Sequence, residues 1–198
     1  MSVALILASA SPYRDALLKR LGLPFRIAVP GVDEKPVTGE APTARAARLA
    51  LAKAEAVTTA HPEAWVLGSD QVADCAGRVL DKPGTAKRCR EQLAFCSGRA
   101  VTFFTAIVLA RGRPASLSQH VDRTVVRFRT LSTGEIARYV QRDRPYDCAG
   151  GFRCEGLGIA LFDAIDSSDP TALIGMPLIW VAGALRRAGI DPLASHHR

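Results

Sequence analysis

The residues able to do chemistry are acids, bases and small hydroxyl residues set at the ends of short apolar runs. The run at 4–7 stops at Ser9 and Ser11, then Pro12, Tyr13 and Arg14. A strand passing through a small-residue turn into a helix offers unpaired N–H groups and partial positive charge to an anion. Arg14 adds a planar fork of donors that matches phosphate oxygens; an ordinary strand–turn–helix with a solvated arginine is the plainer reading. Asp70 follows the apolar run 65–67 through Gly68 and Ser69. A carboxylate at a strand exit suits a general base or a metal ligand, and equally a turn aspartate bonded to local backbone. Asp33 and Glu34 lie in the loop PGVDEKP at 30–36, where paired acids suit Mg²⁺ or Mn²⁺ or a solvated acidic loop. Lys53 and Lys82 suit phosphate neutralisation or an exposed surface. Glu155 sits in the glycine-rich stretch 149–158, AGGFRCEGLG, where close backbone approach would let a carboxylate read a nucleobase edge.

Elements to position these groups can be read along the chain. Strands are expected at 3–7, 25–29, 65–67, 101–109, 121–128 and 159–162. Helices are expected at 14–21, 42–60 with Thr43 as N-cap, 85–95, 132–140 and 177–188. Ser132 and Glu135 have the spacing of a capping box. Residues 74–77 suit a hairpin turn, and the turn 111–114 joins two long β stretches expected to pair antiparallel. Strand and helix signals alternate, which gives an α/β fold with a mixed sheet.

The chain has 198 residues, 48% hydrophobic and 23% charged, enough for one domain or one two-lobed unit. Its formal charge of +7 fits an anionic partner. Aromatics make up only 6% and do not interleave with basic residues as single-strand binders require, so a nucleic-acid domain rests on charge alone. The five cysteines are odd in number and lack C-x-x-C spacing, which speaks against a disulfide framework and for a reducing cytoplasm. None of the four histidines forms a metal-spaced pair. The first apolar run is too short for a signal-peptide h-region and has no basic stretch before it, and no segment approaches membrane-spanning length, so neither is expected. P-loop, G-x-G-x-x-G and G-x-S-x-G signatures are all missing.

The motifs LILASASPYR (5–14), VDE (32–34), KA (53–54), GSDQV (68–72), DKP (81–83), FRCEGLG (152–158) and DPTALIGMPL (169–178) occur in an order that resembles the Maf family of nucleoside triphosphate pyrophosphatases. The resemblance runs through nearly the whole chain. It implies an elongated mixed sheet flanked by helices, with two lobes and a cleft between them, and hydrolysis of nucleotides to the monophosphate and pyrophosphate with a divalent cation. It further implies Asp70 as catalytic base, Ser9, Arg14, Lys53 and Lys82 at the phosphates, and Glu34 with Asp70 at Mg²⁺, Mn²⁺ or Co²⁺. Tyr13, Gln71 and Glu155 stand at the specificity positions.

Gln71 and Glu155 resemble the YceF-type branch, which acts on 7-methyl-GTP; the dTTP/UTP branch has Thr and Gln there. Tyr13 departs from the Trp common in that branch. A guanine edge presents two adjacent donors, which a carboxylate can accept together. Methylation at N7 makes the base cationic, which favours an aromatic face and a nearby negative charge. The alternatives are the dTTP/UTP activity and a non-catalytic role in septum formation. The expected partner is a nucleoside triphosphate, with no stable nucleic acid and no membrane; a homodimer is left open.

Overall fold

The computed structural model describes residues 4–113 and 115–194. Val3, Pro114 of the expected 111–114 turn, and the tail with His196 and His197 lie outside the described residues. The chain divides into two compact units. The first comprises the residues up to Asp70, Thr105–Val121 and those from Asp169 onward; the second comprises Gln71–Phe104 and Asp122–Ser168.

Among the described residues seven strands form one mixed sheet. They are β1 (Leu5–Ala8), β2 (Arg26–Ala28), β3 (Trp65–Cys75), β4 (Arg78–Leu80), β5 (Ala100–Arg111), β6 (Ser116–Phe128) and β7 (Phe162–Asp166). The order is β2-β1-β3-β5-β6-β7, with β4 on β3. β1 runs parallel to β2 and to β3, pairing Ala8 with Gly68. β3 and β4 are antiparallel, as are β6 and β7. The α/β class and the mixed sheet expected from the sequence are the observed ones.

In the first unit, alternation along β1 and β3 decides what each face meets. Leu5, Leu7, Trp65 and Leu67 join Leu17 and Leu18 of α1 (Pro12–Lys19) and Leu178, Val181 and Leu185 of α5 (Leu178–Arg187) in one buried cluster. The opposite face of β3 meets α2 (Pro42–Ala60), whose Ala46, Leu49, Ala50, Lys53, Ala54 and Val57 are buried. Gly68 is where they touch most closely. A Cβ there would stand 2.4 Å from the Ala50 carbonyl oxygen and 2.7 Å from the Ala54 nitrogen. No side chain larger than hydrogen fits between that strand and that helix.

In the second unit, α3 (Ala86–Cys96) is capped by Thr85, and α4 (Thr133–Asp143) opens on the expected Ser132–Glu135 capping box. Phe152 packs edge-to-face on Phe103, Phe128 and Phe162, with ring centroids 4.8–5.5 Å apart. That aromatic cluster anchors the glycine-rich segment to the unit's core.

Several expectations are corrected. β3 does not stop at Leu67; pairing with β1 and then β4 carries it to Cys75, so Asp70 lies inside a strand instead of at its exit. Thr43 does not cap α2: the N-cap is Ala41 without a side-chain bond, and Pro42 takes the first helical position, where its missing N–H is no loss. The strand expected at 159–162 begins only at Phe162, because Leu157–Leu161 winds into a short 3₁₀ segment. The cysteines need no such correction: all five are free thiols.

Candidate active site

β1 ends at Ala8, and the chain turns at once into α1. Ser9 is buried, its hydroxyl accepting from the Ser11 N–H at 3.1 Å. Ser11 is the N-cap, accepting from the Arg14 N–H at 3.4 Å, and Pro12 takes the first helical position. Tyr13 and Arg14 therefore lie in the first turn of α1, and both are half-buried. This places them beyond the carboxyl end of a parallel strand, the usual ligand end of an α/β sheet.

Lys53 is buried on α2, and its ammonium sits between two carboxylates. It donates to Asp70 Oδ1 at 2.7 Å and lies 2.6 Å from Glu34 Oε1. Asp70 is nearly as buried as Lys53, whereas the Glu34 side chain is 59% exposed. The close approach at Gly68 sets this up. Gly68 and Asp70 share a face of β3, and Lys53 precedes Ala54, whose backbone contacts Gly68. A charge buried this far needs its partner close, so the two side chains hold each other in place.

Arg14 belongs to the same electrostatic group. Burial pulls its guanidinium below the usual range, and the charges of Asp70 and Glu34 pull it back. It stays protonated at neutral pH regardless. Its Nε donates to the Gly175 carbonyl at 3.0 Å.

The first unit thus brings Glu34, Lys53 and Asp70 into contact and sets Arg14 within their field, with Ser9 and Tyr13 on the β1–α1 connection. Lys53 is not the exposed lysine the sequence equally allowed, and its bonds here are to carboxylates. The other three candidates belong to the second unit. Gln71 follows Asp70 in β3 and is half-buried. Lys82 is exposed, in the loop between β4 and α3, where the Gly84 N–H bonds the Tyr146 carbonyl at 2.9 Å. Glu155 is exposed, its carboxylate accepting from the Cys154 thiol at 3.4 Å. Burial, then the neighbouring charge of Glu155, pushes that thiol up to about 12.

Three residues at the site were quoted in motifs without a role: Gly68, Ser69 and Gly175. The signal for Gly68 was present in the small residues Ala50 and Ala54 of α2, whose spacing of four puts them on one helix face. Nothing local marked Ser69 or Gly175, which meet only through the fold. No group of three or more His, Cys, Asp or Glu side chains suited to a metal occurs among the described residues. Nor is any described helix long and apolar enough to cross a membrane.

Comparison with known proteins places these features in a family. A 7-methyl-GTP pyrophosphatase of Xanthomonas oryzae is 53% identical over 189 residues, 96% of this chain and 98% of its own. One from Xanthomonas campestris is 54% identical over 191 residues, 96% and 99% of the two chains. One from Bordetella pertussis is 50% identical over 192 residues, 97% and 96% of the two. Among solved structures, the Staphylococcus aureus Ham1 protein aligns at 14% identity with a TM-score of 0.46, covering 78% of this chain and 89% of that one. The model of the Maf-like protein family matches residues 4–188, and the chain belongs to that family.

Proposed function

We propose that this protein is a nucleoside triphosphate pyrophosphatase that hydrolyses 7-methyl-GTP to 7-methyl-GMP and pyrophosphate, clearing a modified nucleotide from the cytoplasm. The observation that carries the reading is the buried Lys53 ammonium between Asp70 and Glu34, with Arg14 in their field. Relatives about half identical over nearly their whole length, and named for this activity, support it.

Asp70 is the general base. Its ion pair with Lys53 fixes its direction, and it takes a proton from the water that attacks the α-phosphorus. The bond from that phosphorus to the bridging oxygen breaks, and pyrophosphate leaves. Arg14, Lys53 and Lys82 hold the phosphates, with Ser9 fixing the turn beside them. Two carboxylates, one exposed, are a donor set that fits Mg²⁺, Mn²⁺ or Co²⁺ when substrate phosphates complete the coordination. Glu34 and Asp70 would hold the ion, which when bound neutralises phosphate charge and polarises a phosphoryl oxygen. Tyr13 stacks on the base, Gln71 contacts it, and Glu155 accepts the two donors of its guanine edge. A homodimer is compatible with all of these roles.

Pyrophosphate release should be followed from 7-methyl-GTP, GTP, dTTP and UTP with each of the three cations. The expected result is the highest kcat/KM on 7-methyl-GTP, with that preference lost in Glu155→Gln. Preference for dTTP or UTP would remove the base assignment, and no release from any nucleotide would remove the activity.

A further inference from the structure

The segment 169–178, DPTALIGMPL, holds none of the roles assigned above, yet it is closely bonded. Asp169 is buried, its carboxylate accepting from the backbone N–H groups of Thr171 at 2.9 Å and Ile179 at 2.7 Å. The Thr171 hydroxyl donates to the same carboxylate at 2.5 Å and accepts from the Leu178 N–H at 2.8 Å. Thr105, fully buried on β5, donates to the Ala172 carbonyl at 3.0 Å. These bonds pin both ends of the segment and its middle.

Between the pinned points lies Gly175, at φ +129°, a conformation that side-chain-bearing residues rarely adopt. Its carbonyl accepts from two donors at once, Arg14 Nε at 3.0 Å and the Ser69 hydroxyl at 3.0 Å. Ser69 is fully buried, and its single hydroxyl hydrogen is shared between the Gly175 carbonyl at 3.0 Å and the Ala106 carbonyl of β5 at 2.8 Å. A Cβ built on Gly175 would lie 3.6 Å from Arg14 Cγ and Nε, so the arginine stem packs directly on this glycine.

We propose that Ser69 and the 169–178 segment form a brace that positions Arg14, with the Gly175 carbonyl as its fixed point. Ser69 is a positioning residue: it holds the Gly175 peptide, and the peptide holds Nε. With Nε committed, the two terminal nitrogens present a bidentate grip to one phosphate group. An arginine ordered on folding does not lose that rotamer freedom again on binding, which strengthens its hold on the anion. The inference rests on the phosphate role proposed for Arg14.

The test uses the full chain with Ser69→Ala, Ser69→Thr, Arg14→Ala and the Ser69→Ala/Arg14→Ala pair. Two quantities are read: solvent exchange of the Arg14 Nε–H by ¹⁵N NMR, and the Kd for pyrophosphate by calorimetry. Ser69→Ala should speed Nε–H exchange about tenfold and raise the pyrophosphate Kd about tenfold, the upper scale of one neutral hydrogen bond. Ser69→Thr, which keeps the hydroxyl, should restore both, and Ser69→Ala should add nothing in the Arg14→Ala background. Ser69→Cys, close in size and a weak donor, should fall between and serves if Ser69→Ala folds poorly. Unchanged Nε–H exchange in Ser69→Ala overturns the brace, as do effects on Kd that multiply in the double variant. Faster exchange in Ser69→Ala, with a pyrophosphate Kd that Arg14→Ala leaves untouched, supports the brace and removes the phosphate role instead.

Discussion

Lys53 has two acidic partners of unequal depth, and that inequality separates its structural work from its chemical work. Lys53→Met leaves the Asp70 carboxylate buried without its cation, a loss of about 3 kcal/mol by the usual penalty for breaking such a pair. Asp70→Asn is milder, because Lys53 keeps Glu34 at 2.6 Å. Urea unfolding should therefore rank Lys53→Met well below Asp70→Asn in stability. Turnover should respond differently: Asp70→Asn should lose about 10²–10⁴-fold in kcat, the usual contribution of a general base. A variant Asp70→Asn with near-normal kcat would mean that another group takes the proton. The identity of these residues was readable in the sequence from their motifs. Their burial was not, since an alanine-rich helix gives a weak apolar stripe and leaves open which way Lys53 points.

Among the elements, α4 carries its own pH dependence. Glu135 accepts from the Ser132 N–H and hydroxyl and pairs with Arg129, and these partners, the Ser132 backbone first, hold its carboxyl down to about 2. A carboxyl lowered by folding stabilises the fold above its ordinary value of 4.5, and that contribution fades as the pH drops through about 2. The Tm gap between the native chain and Glu135→Gln should be constant from neutral pH to about 5 and close between 4.5 and 2. A gap that stays constant to pH 2 would mean the cap is held by the Ser132 hydroxyl alone. This box was legible in the sequence because S-x-x-E is a local pattern that needs no tertiary partner. The bounds of α2 were equally legible, from Pro42 through Ala60. β3 was not. Gly68 and Ser69 carry the composition of a turn, and the pairing of β3 with β1, β4 and β5 keeps the strand extended through them. The same glycine that suggested a break is there for the helix behind it. Gly156 and Gly158 misled in the opposite sense, hiding the 3₁₀ winding ahead of β7.

Over the whole molecule, the cysteines report on the integrity of the fold. Cys75, Cys89 and Cys96 are fully buried, and burial pushes the Cys89 thiol up to about 11 and the Cys96 thiol higher still. Brief alkylation of the native protein at pH 8 should label Cys148 first and leave those three unmodified, as peptide mass spectrometry would register. Labelling of all five at one rate would mean that the second unit opens on the timescale of the reagent. The contact at Gly68 bears on the molecule at another level. With no side chain at position 68, α2 comes so near β3 that a Cβ there would meet the Ala50 carbonyl, the Ala54 nitrogen and the Ala54 Cβ, and this close contact sets Lys53 beside Asp70. Volume-conserving replacements elsewhere in the core can then raise or lower melting temperature without detuning the ion pair. An engineer seeking a hardier form of this protein has the apolar interior as free ground, provided position 68 stays glycine.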